Sequence, residues 1–588
     1  MSSKRDPRQL DAIRRSQGEI GNHVIDEYAA GRLTRRAFLV RGTIVGMSVP
    51  TIGALIAACG SSDDAGQDAT AVDEDTGNTE DTSGGEDTSS EEDTGSTAAA
   101  ALLVIGSGTP SAASANLDPV LINDQNGLTI LSSVGQTLLT SNPDLSLSPL
   151  LATEWSPNAD GSEWTFKLNP AATFNDGTPV TAADVVATME RLVDPDNNSN
   201  ALSAFEVGRL SPGGITAVDD NTVLFRLDGP MGNFPYIVSS DNYNSFVLPA
   251  SVTDTSAFAT ANIPTTGAYM IESYDGVKGA TLVRNPNYWG PAAPIEKIEF
   301  QFIDDLAAQI TAFTSGELDV MSQFSVSGGE SLLDNPDVNV IEHPSTAHRQ
   351  IHLRTSKGPF ADKRVRQALA MAMDRGAIID GLFSGKANIA NDSPFFDVFP
   401  STGTPVKQEY NLDKAKALMA EAAPDGFDTT LYGFGTQEIP DLAVIVQNAA
   451  RELGINITIE MRDDYYDNYW VSWDESVPGS DIGITDYGHR GVPDVFLAAP
   501  LKSADKGGVW NGAEFANPTY DALVDEYSAS TDLQSQQAAS AKIQTLLVDE
   551  VPIIFPYNYN YLSAVKTNIS GVVTGAMGYV YTDQAAKS

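Results

Sequence analysis

From about Leu102 to the C-terminus, short stretches with the polar–apolar pattern of strands alternate with stretches that have the pattern of helices. This alternation of strands and helices limits the possible folds more than composition does. Two predicted strands, EWTFKLNP and TVLFRLD, each place three apolar side chains on one face: Trp164, Phe166 and Leu168 in the first, and Val223, Phe225 and Leu227 in the second. A strand with one apolar face is half-buried, so each of these predicts a sheet that packs on a core.

A helix is predicted between these two strands. Thr181 begins it as the N-cap, Asp184 completes a capping box, and Pro195 ends it. Further helices are predicted over PDLAVIVQNAARELG, over NPTYDALVDEY with Asn517 as N-cap, and from Leu533 to Val548. The first of them precedes the strand-like INITIEM, and such alternation is typical of the α/β class.

The charge of the chain is strongly negative, with 35 Lys and Arg against 78 Asp and Glu and a net charge of −43. Residues 1–58 are net basic, so the acidic excess lies beyond them. Such a surface repels phosphates, and we expect no nucleic-acid partner. Residues 60–100 contain no Lys or Arg and almost no large apolar residue, which predicts a disordered acidic linker.

The N-terminal region predicts export and anchoring. Arg35 and Arg36 in TRRAFLVR resemble a twin-arginine signal, and residues 42–58 form a short, weakly apolar run. The single cysteine, Cys59, ends the stretch IAAC, which resembles a lipobox whose cysteine becomes a lipidated N-terminus. Because no second cysteine is present to form a disulfide, we expect this thiol to carry acyl chains. An uncleaved membrane anchor and a buried core cysteine are the alternatives.

Several longer sequence segments follow one another in a recognisable order. They are LATEWSPNADGSEWTFKLNPAATFNDGTPVTAADVVATMERLVDP (151–195), TTGAYMIESY with LVRNPNYWG (265–290), SGELDV (315–320), PFADKRVRQALAMAMDR (359–375), YNLDKAKALMAEA (410–422), ITDYGHRGVPDVFLAAP (484–500) and ANPTYDALVDEY (516–527). Together they resemble the family 5 extracellular solute-binding proteins of ABC importers for oligopeptides, dipeptides and nickel. The resemblance covers nearly everything from residue 102 to the C-terminus.

This resemblance implies a bilobal α/β fold of the periplasmic-binding-protein type, in the large cluster C form of type II, with two hinge crossings and an extra subdomain in the first lobe. The expected segments are a signal peptide over 1–58, Cys59 and the linker over 59–101, lobe one over 102–300, lobe two over 301–557, and a return to lobe one over 558–588. Hinge strands are expected near IEFQFID and YNYNYLS. Ligand contacts with both lobes would then drive closure.

The resemblance also points to a ligand site. In peptide-binding relatives, an aspartate in the motif that matches ITDYGHRGVPD pairs with the α-ammonium of the peptide, and the matching residue is Asp486. Its neighbours Tyr487, Gly488 and His489 are expected to contact the ligand with it. A charge-assisted hydrogen bond in a closed cleft is worth about 1.5–3 kcal/mol, against about 0–1 kcal/mol for a surface pair. A loop aspartate bonded to local backbone amides is the alternative.

Other candidate residues lie in stretches that match cleft regions of relatives. They are the loop residues Asn123, Gln125 and Asn126, the hinge tyrosines Tyr557 and Tyr559, and the aromatic residues Trp470, Trp473 and Trp510. Arg354 stands where relatives often carry asparagine, and either a ligand carboxylate or an ion pair within the protein would account for it. Aromatic side chains are more often part of a core, so these residues are predicted as a set.

Other ligands and one other class of function stay open. A nickel-binding branch of the family exists, but the stretch HRQIH would place His348 and His352 about 13 Å apart on a strand, so no metal ligand or cofactor is predicted. Relatives also carry sugars and opine-like compounds. A secreted hydrolase is the other class, although the chain lacks HExxH, CxxC, GxSxG and Walker motifs. We predict a monomeric, lipid-anchored extracytoplasmic binder, not an enzyme, that delivers short peptides to an ABC permease.

Overall fold

The computed structural model describes residues 102–112, 114–254, 258, 263–472 and 479–588, so the predicted signal peptide, Cys59 and the acidic linker lie outside the described residues. The helices are α1 Gln125–Val134, α2 Ala182–Val193, α3 Leu202–Val207, α4 Phe234–Ile237, α5 Leu306–Ser315, α6 Val326–Leu333, α7 Lys363–Met371, α8 Arg375–Phe383, α9 Leu412–Ala422, α10 Ile439–Arg451, α11 Tyr465–Asn468, α12 Asp494–Ala498, α13 Pro518–Ala529 and α14 Leu533–Glu550. Within the described ranges, no helix combines the length and apolar character needed to cross a membrane.

The strands are mostly short and spread along the whole described chain. They are β1 Leu102–Ser107, β2 Leu139–Ser141, β3 Leu147–Pro149, β4 Ala152–Pro157, β5 Glu163–Leu168, β6 Ile215–Asp219, β7 Thr222–Arg226, β8 Tyr269–Asp275, β9 Gly279–Arg284, β10 Lys297–Phe302, β11 Val320–Phe324, β12 Val338–His343, β13 His348–Leu353, β14 Ala387–Ile389, β15 Phe427–Gly433, β16 Ile455–Met461, β17 Ile482–Tyr487, β18 Ile553–Ile554, β19 Tyr557–Tyr559, β20 Tyr561–Lys566, β21 Ile569–Ser570, β22 Val573–Thr574, β23 Val580–Tyr581 and β24 Ala586–Lys587.

The first large sheet joins distant parts of the chain in the order β12, β20, β11, β1, β10, β9, β8. β1 lies at its centre, parallel to both β10 and β11, while β20 runs antiparallel between β11 and β12. Leu103 and Ile105 of β1 and Ile298 of β10 are fully buried in one core with Ile130 and Leu131 of α1. Burial of alternate strand residues against a helix is the packing that the α/β pattern predicts.

The second large sheet has the order β14, β19, β13, β17, β15, β16, with β18 paired to β13. β13 and β17 are antiparallel, whereas β15 is parallel to both β16 and β17. Ile351, Leu431 and Ile484 are fully buried in a core shared with Leu369 of α7 and Leu442 of α10. Two separate sheets, each with its own core, confirm the predicted bilobal α/β class.

A small antiparallel sheet, β4, β5, β7, β6, forms the extra subdomain together with α2. Its strands show the apolar faces that the sequence predicts: Trp164, Phe166, Leu168, Val223 and Phe225 are buried, and Leu227 is half-buried. The predicted start of α2 is also confirmed, since Thr181 and Asp184 form a capping box. These features were predictable because both depend only on nearby residues.

The chain crosses between the two large sheets at two places, residues 344–347 and Asn560. The second crossing lies within YNYNYLS. The expected boundary at residue 300 is wrong, because β11 and β12 still pair within the first sheet, where β1 and β20 lie beside them. We therefore call residues 102–343 and 561–588 the first lobe, and residues 348–559 the second lobe.

Candidate ligand-binding site

Asp486 and Arg349 lie directly opposite each other on the antiparallel strands β17 and β13. Opposed residues of such a pair have side chains on the same face, so the register alone brings the two charges together. The Arg349 guanidinium donates to Asp486 Oδ1. The Asp486 side chain remains 39% exposed, whereas that of Arg349 is fully buried. Asp486 therefore offers a partly paired carboxylate at the surface of the second lobe.

Arg349 is held by further groups beneath this carboxylate. Its Nε lies 2.9 Å from Glu438 Oε1, its Nη2 donates to Glu438 Oε2 at 3.0 Å and to Gln437, and its guanidinium lies 4.9 Å from the ring centre of Tyr559. Burial opposes the charge of Arg349, but its interactions with Tyr559, Glu438 and Asp486 outweigh burial and raise the pKa of Arg349. The guanidinium is therefore a permanent, buried cation.

An aromatic wall continues from Asp486 along the second lobe. Tyr487 is buried, and its ring centre lies 6.4 Å from that of Trp470 and 6.2 Å from that of Trp510. The two tryptophans lie 6.1 Å apart and are half-buried. The Tyr487 hydroxyl has no hydrogen-bond partner among the described residues. The structure thus brings three predicted aromatic residues together beside the predicted aspartate, and Gly488 next to them is exposed.

The hinge tyrosines connect this surface to the first lobe. Arg349 Nη1 donates to the Tyr559 hydroxyl at 3.3 Å, and the ring of Tyr559 lies 5.9 Å from that of Tyr561 across the crossing. Burial raises the pKa of Tyr561, with contributions from Tyr559 and Asp486, while a hydrogen bond from Gln125 opposes the rise. Asp486, Tyr559 and Gln125 are thereby gathered at one crossing between the lobes.

Asn123 and Asn126 have other partners, although they flank Gln125. The Asn126 side chain accepts from Gly108 N at 3.1 Å and donates to the Thr109 carbonyl at 3.1 Å. Asn123 Oδ1 accepts from Ser111 Oγ at 3.0 Å. Both amides therefore fix the loop that precedes α1, which leaves Gln125 as the member of this group that faces the crossing.

Arg354 forms an internal ion pair, which was the alternative to a ligand contact. Its side chain is 6% exposed, and it lies 3.1 Å from Asp481 Oδ1 and 3.3 Å from Glu514 Oε1. Tyr557 is likewise engaged elsewhere, since it is fully buried and donates to Glu438 Oε1 at 2.8 Å. Trp473 lies outside the described residues.

His489 is buried and contacts the first lobe. The backbone N–H of Thr346 donates to its Nδ1 at 3.1 Å, and its Nε2 lies 3.7 Å from Asp241 Oδ1. His343 and His489 both line a cavity of about 40 Å³. Burial lowers the pKa of His343 to about 4. Among the described residues, no group of three or more His, Cys, Asp or Glu side chains is arranged to hold a metal ion.

Three residues of the site were missed at the level of sequence. They are Arg349, Glu438 and Tyr561. A signal for the first was present, because an arginine inside the predicted strand HRQIHL must be paired if it is buried. Its partners could not be named, since the register of β13 against β17 and the approach of α10 depend on distant parts of the chain.

Two α/β lobes joined by two crossings, with an exposed carboxylate and an aromatic wall at the crossing, define a binding protein that holds a solute between its lobes. The sequence model of the bacterial extracellular solute-binding proteins, family 5 middle, matches residues 146–492. The chain therefore belongs to the family 5 bacterial extracellular solute-binding proteins.

Curated relatives are distant but match over most of their length. The probable D,D-dipeptide-binding periplasmic protein DdpA of Escherichia coli strain K12 is 26% identical over 497 residues, covering 81% of this chain and 92% of that protein. The periplasmic murein peptide-binding protein MppA of the same strain is 26% identical, covering 78% of this chain and 88% of that protein. Both relatives are named as binding proteins rather than as enzymes.

Solved structures of similar proteins show the same fold. The unliganded open form of the murein tripeptide-binding protein MppA has a TM-score of 0.71 and 24% identity, covering 83% of this chain and 98% of that chain. DppA from Helicobacter pylori in complex with the peptide STSA has a TM-score of 0.64 and 22% identity, covering 82% of this chain and 98% of that chain.

Proposed function

We propose that this protein captures short peptides between its two lobes and delivers them unchanged to the permease of an ABC importer. Membership of the solute-binding family supports capture of a solute. The names of DdpA and MppA support a peptide as that solute. Because a binder releases what it captured, the proposal requires no bond to be made or broken.

The observation that carries the peptide proposal is the exposed carboxylate of Asp486 beside the hinge. A peptide presents an α-ammonium at one end, and a charge-assisted hydrogen bond to Asp486 would be worth about 1.5–3 kcal/mol once closure excludes water. Trp470, Tyr487 and Trp510 supply an apolar wall against which varied side chains can pack. Affinity would then come from the peptide terminus, while the wall tolerates sequence variety.

Gln125 and Tyr559 extend the proposed site to the other side of the hinge. Gln125 belongs to the first lobe and Tyr559 to the last strand of the second lobe, so a ligand that touches both favours the closed arrangement. A ligand shifts such an equilibrium only through contacts that the open form lacks. The monomer is sufficient for this mechanism.

The location of the protein is proposed from its N-terminal segment. Arg35 and Arg36 would direct export, and Cys59 would carry the acyl chains that hold the protein at the outer face of the cell membrane. A single acyl chain binds membranes only marginally, so stable anchoring needs two or more chains. The acidic linker would separate the binding lobes from the lipid surface and keep captured peptide near the permease.

The bound solute itself gives the test of this proposal. The protein is purified without denaturant, washed and then denatured, and the released small molecules are identified by mass spectrometry. Short peptides with free N-termini are the expected result. A metal chelate, a haem, a sugar or an opine-like compound as the released species would replace the peptide with that solute class.

A further inference from the structure

The hairpin of β2 and β3 places a leucine of the first lobe in a hydrophobic core of the second lobe. Leu145 lies in the turn between the two strands and is 2% exposed. The other members of that core all belong to the second lobe, among them Phe396, Tyr487 and Phe496. Because burial of an apolar side chain favours the arrangement that buries it, this contact stabilises the two lobes against each other.

The backbone of Leu145 adopts a conformation that is more typical of glycine. Its φ is 59°, in the left-handed region that a Cβ atom disfavours. The N–H of Leu145 donates to the Asn142 carbonyl at 2.8 Å, and the Tyr236 hydroxyl donates to the Leu145 carbonyl at 2.6 Å. Such a backbone persists only where the surrounding structure holds it. The contact of the leucine side chain with the second lobe accounts for a leucine at this position.

A second contact between the lobes lies next to α4. The N–H of Gly232 in the first lobe donates to the carbonyl of Ser528 in the second lobe at 2.7 Å. A Cβ atom at Gly232 would overlap the carbonyl oxygen of Ser530. The lobes are therefore in close contact at places that belong to neither crossing.

We propose that Leu145 is a latch that holds the two lobes together before any solute binds. Its burial lowers the free energy of the arrangement in which the lobes touch, with or without a ligand between them. Opening requires the side chain to leave its core and become exposed to water. A solute can then enter only the fraction of molecules in which the latch is released, which lowers its association rate. Because the latch acts without a ligand, its role does not depend on which solute is bound.

Leu117 provides a matched control for this leucine. It has a φ of 56°, in the same left-handed region, and it is fully buried. Its core, however, consists of first-lobe residues such as Ile122 and Leu128. Truncation of Leu117 therefore removes packing within one lobe, whereas truncation of Leu145 removes packing between the lobes.

The experiment measures the distance between two spin labels by double electron–electron resonance in the full-length protein. The labels are attached to Ala159→Cys in the first lobe and Gln534→Cys in the second, at two exposed positions, and Cys59→Ala removes the native thiol. Their chain neighbours Gly161 and Thr531 face each other across the lobes, since a Cβ at Gly161 would lie 2.8 Å from the Thr531 methyl carbon. The protein is unfolded, dialysed and refolded beforehand to remove captured solute.

The wild type is expected to show mainly the short distance. Leu145→Ala is expected to raise the ratio of long-distance to short-distance molecules at least about tenfold, because most of the buried apolar area of the side chain is lost. Leu117→Ala is expected to keep the wild-type ratio. If Leu145→Ala does not fold, Leu145→Gly takes its place with the same expected ratio, because glycine readily adopts this backbone conformation.

A wild type that shows mainly the long distance without solute overturns the proposal. A folded Leu145 variant with the wild-type ratio overturns it as well. So does a Leu117→Ala protein that opens as far as Leu145→Ala, because a general loss of core packing would then explain the opening.

Discussion

Asn233 of the first lobe donates its side-chain amide to Asp494 Oδ2 of the second lobe at 2.7 Å, and both side chains are more than nine-tenths buried. Gln536 donates to Asn233 Oδ1 at 2.8 Å, and Ser528 donates to Asp494 Oδ1 at 2.8 Å. Burial raises the pKa of Asp494, and the hydrogen bonds from Asn233 and Ser528 oppose that rise. A buried polar network thus links the two lobes through residues that belong to neither crossing.

Loss of this polar network is expected to lower the free energy of unfolding. Asn233→Ala removes the donor to Asp494 Oδ2 and one of the two acceptors of the Gln536 amide, and leaving the buried carboxylate oxygen without its donor is expected to cost about 1–3 kcal/mol. Urea unfolding measures the change in the free energy of unfolding. Asn221→Ala, at an exposed turn, is the control and should shift it by less than about 0.5 kcal/mol. Equal stability of the two variants would contradict a stabilising role for the network.

Stability is also expected to fall on mild acidification. Burial lowers the pKa of His343 to about 4 and those of His348 and His352 to about 3, against about 6.5 in an unfolded chain. Between these values the unfolded chain binds more protons than the folded protein, so stability is complete above pH 6.5 and declines as the pH falls towards 4. Each histidine contributes up to about 1.4 kcal/mol per pH unit.

Urea unfolding at pH 7, 6 and 5 tests this dependence. His343→Gln is expected to reduce the slope of the unfolding free energy against pH, because one of the three histidines whose pKa is lowered by burial is then absent. A variant with the wild-type slope would show that His343 takes up no extra proton on unfolding.

The role of Asp486 predicts a specific loss of affinity. Asp486→Asn should weaken dipeptide binding by about ten- to a hundredfold, since about 1.5–3 kcal/mol of charge-assisted bonding is lost. Asp481→Asn provides a matched control, because Asp481 also pairs with a buried arginine and its side chain is 36% exposed against 39% for Asp486. Calorimetry should find wild-type affinity in the control. Equal affinities in both variants would remove Asp486 from the site.

Particular residues show how much of the fold could be predicted from the sequence. The buried faces of β5 and β7 and the cap of α2 were predictable, because period-two patterns and capping boxes are local. The first crossing was misplaced by more than forty residues, since β11 and β12 find their partner β20 far along the chain. Register has no local signature, and for the same reason the pairing of Asp486 with Arg349 appeared only in the structure.

The residues of the candidate site likewise separate into those that a local motif identifies and those whose partners depend on distant parts of the chain. The motif identified Asp486 and the neighbouring Tyr487, but it could not tell which side chains nearby were already engaged. Asn126 and Arg354 looked like ligand contacts because of their position in the sequence. The structure pairs the first with backbone groups of a loop and the second with two carboxylates.

Lipid anchoring at Cys59 predicts a change of location. Cys59→Ala should move the protein from the membrane fraction to the soluble fraction, because no other acylation site is expected in the segment. Fractionation of cells that express each form measures this. If the variant stays with the membrane, the apolar run before Cys59 acts as an uncleaved anchor.

The central claim is that the Asp486 carboxylate binds the amino terminus of a short peptide. Calorimetric titration of the wild type with dialanine and with N-acetyl-dialanine, which differ in that one positive charge, tests it most directly. The account predicts measurable binding of dialanine and an affinity at least about tenfold weaker for the acetylated form. Equal binding of both peptides, or tighter binding of the acetylated one, would contradict it.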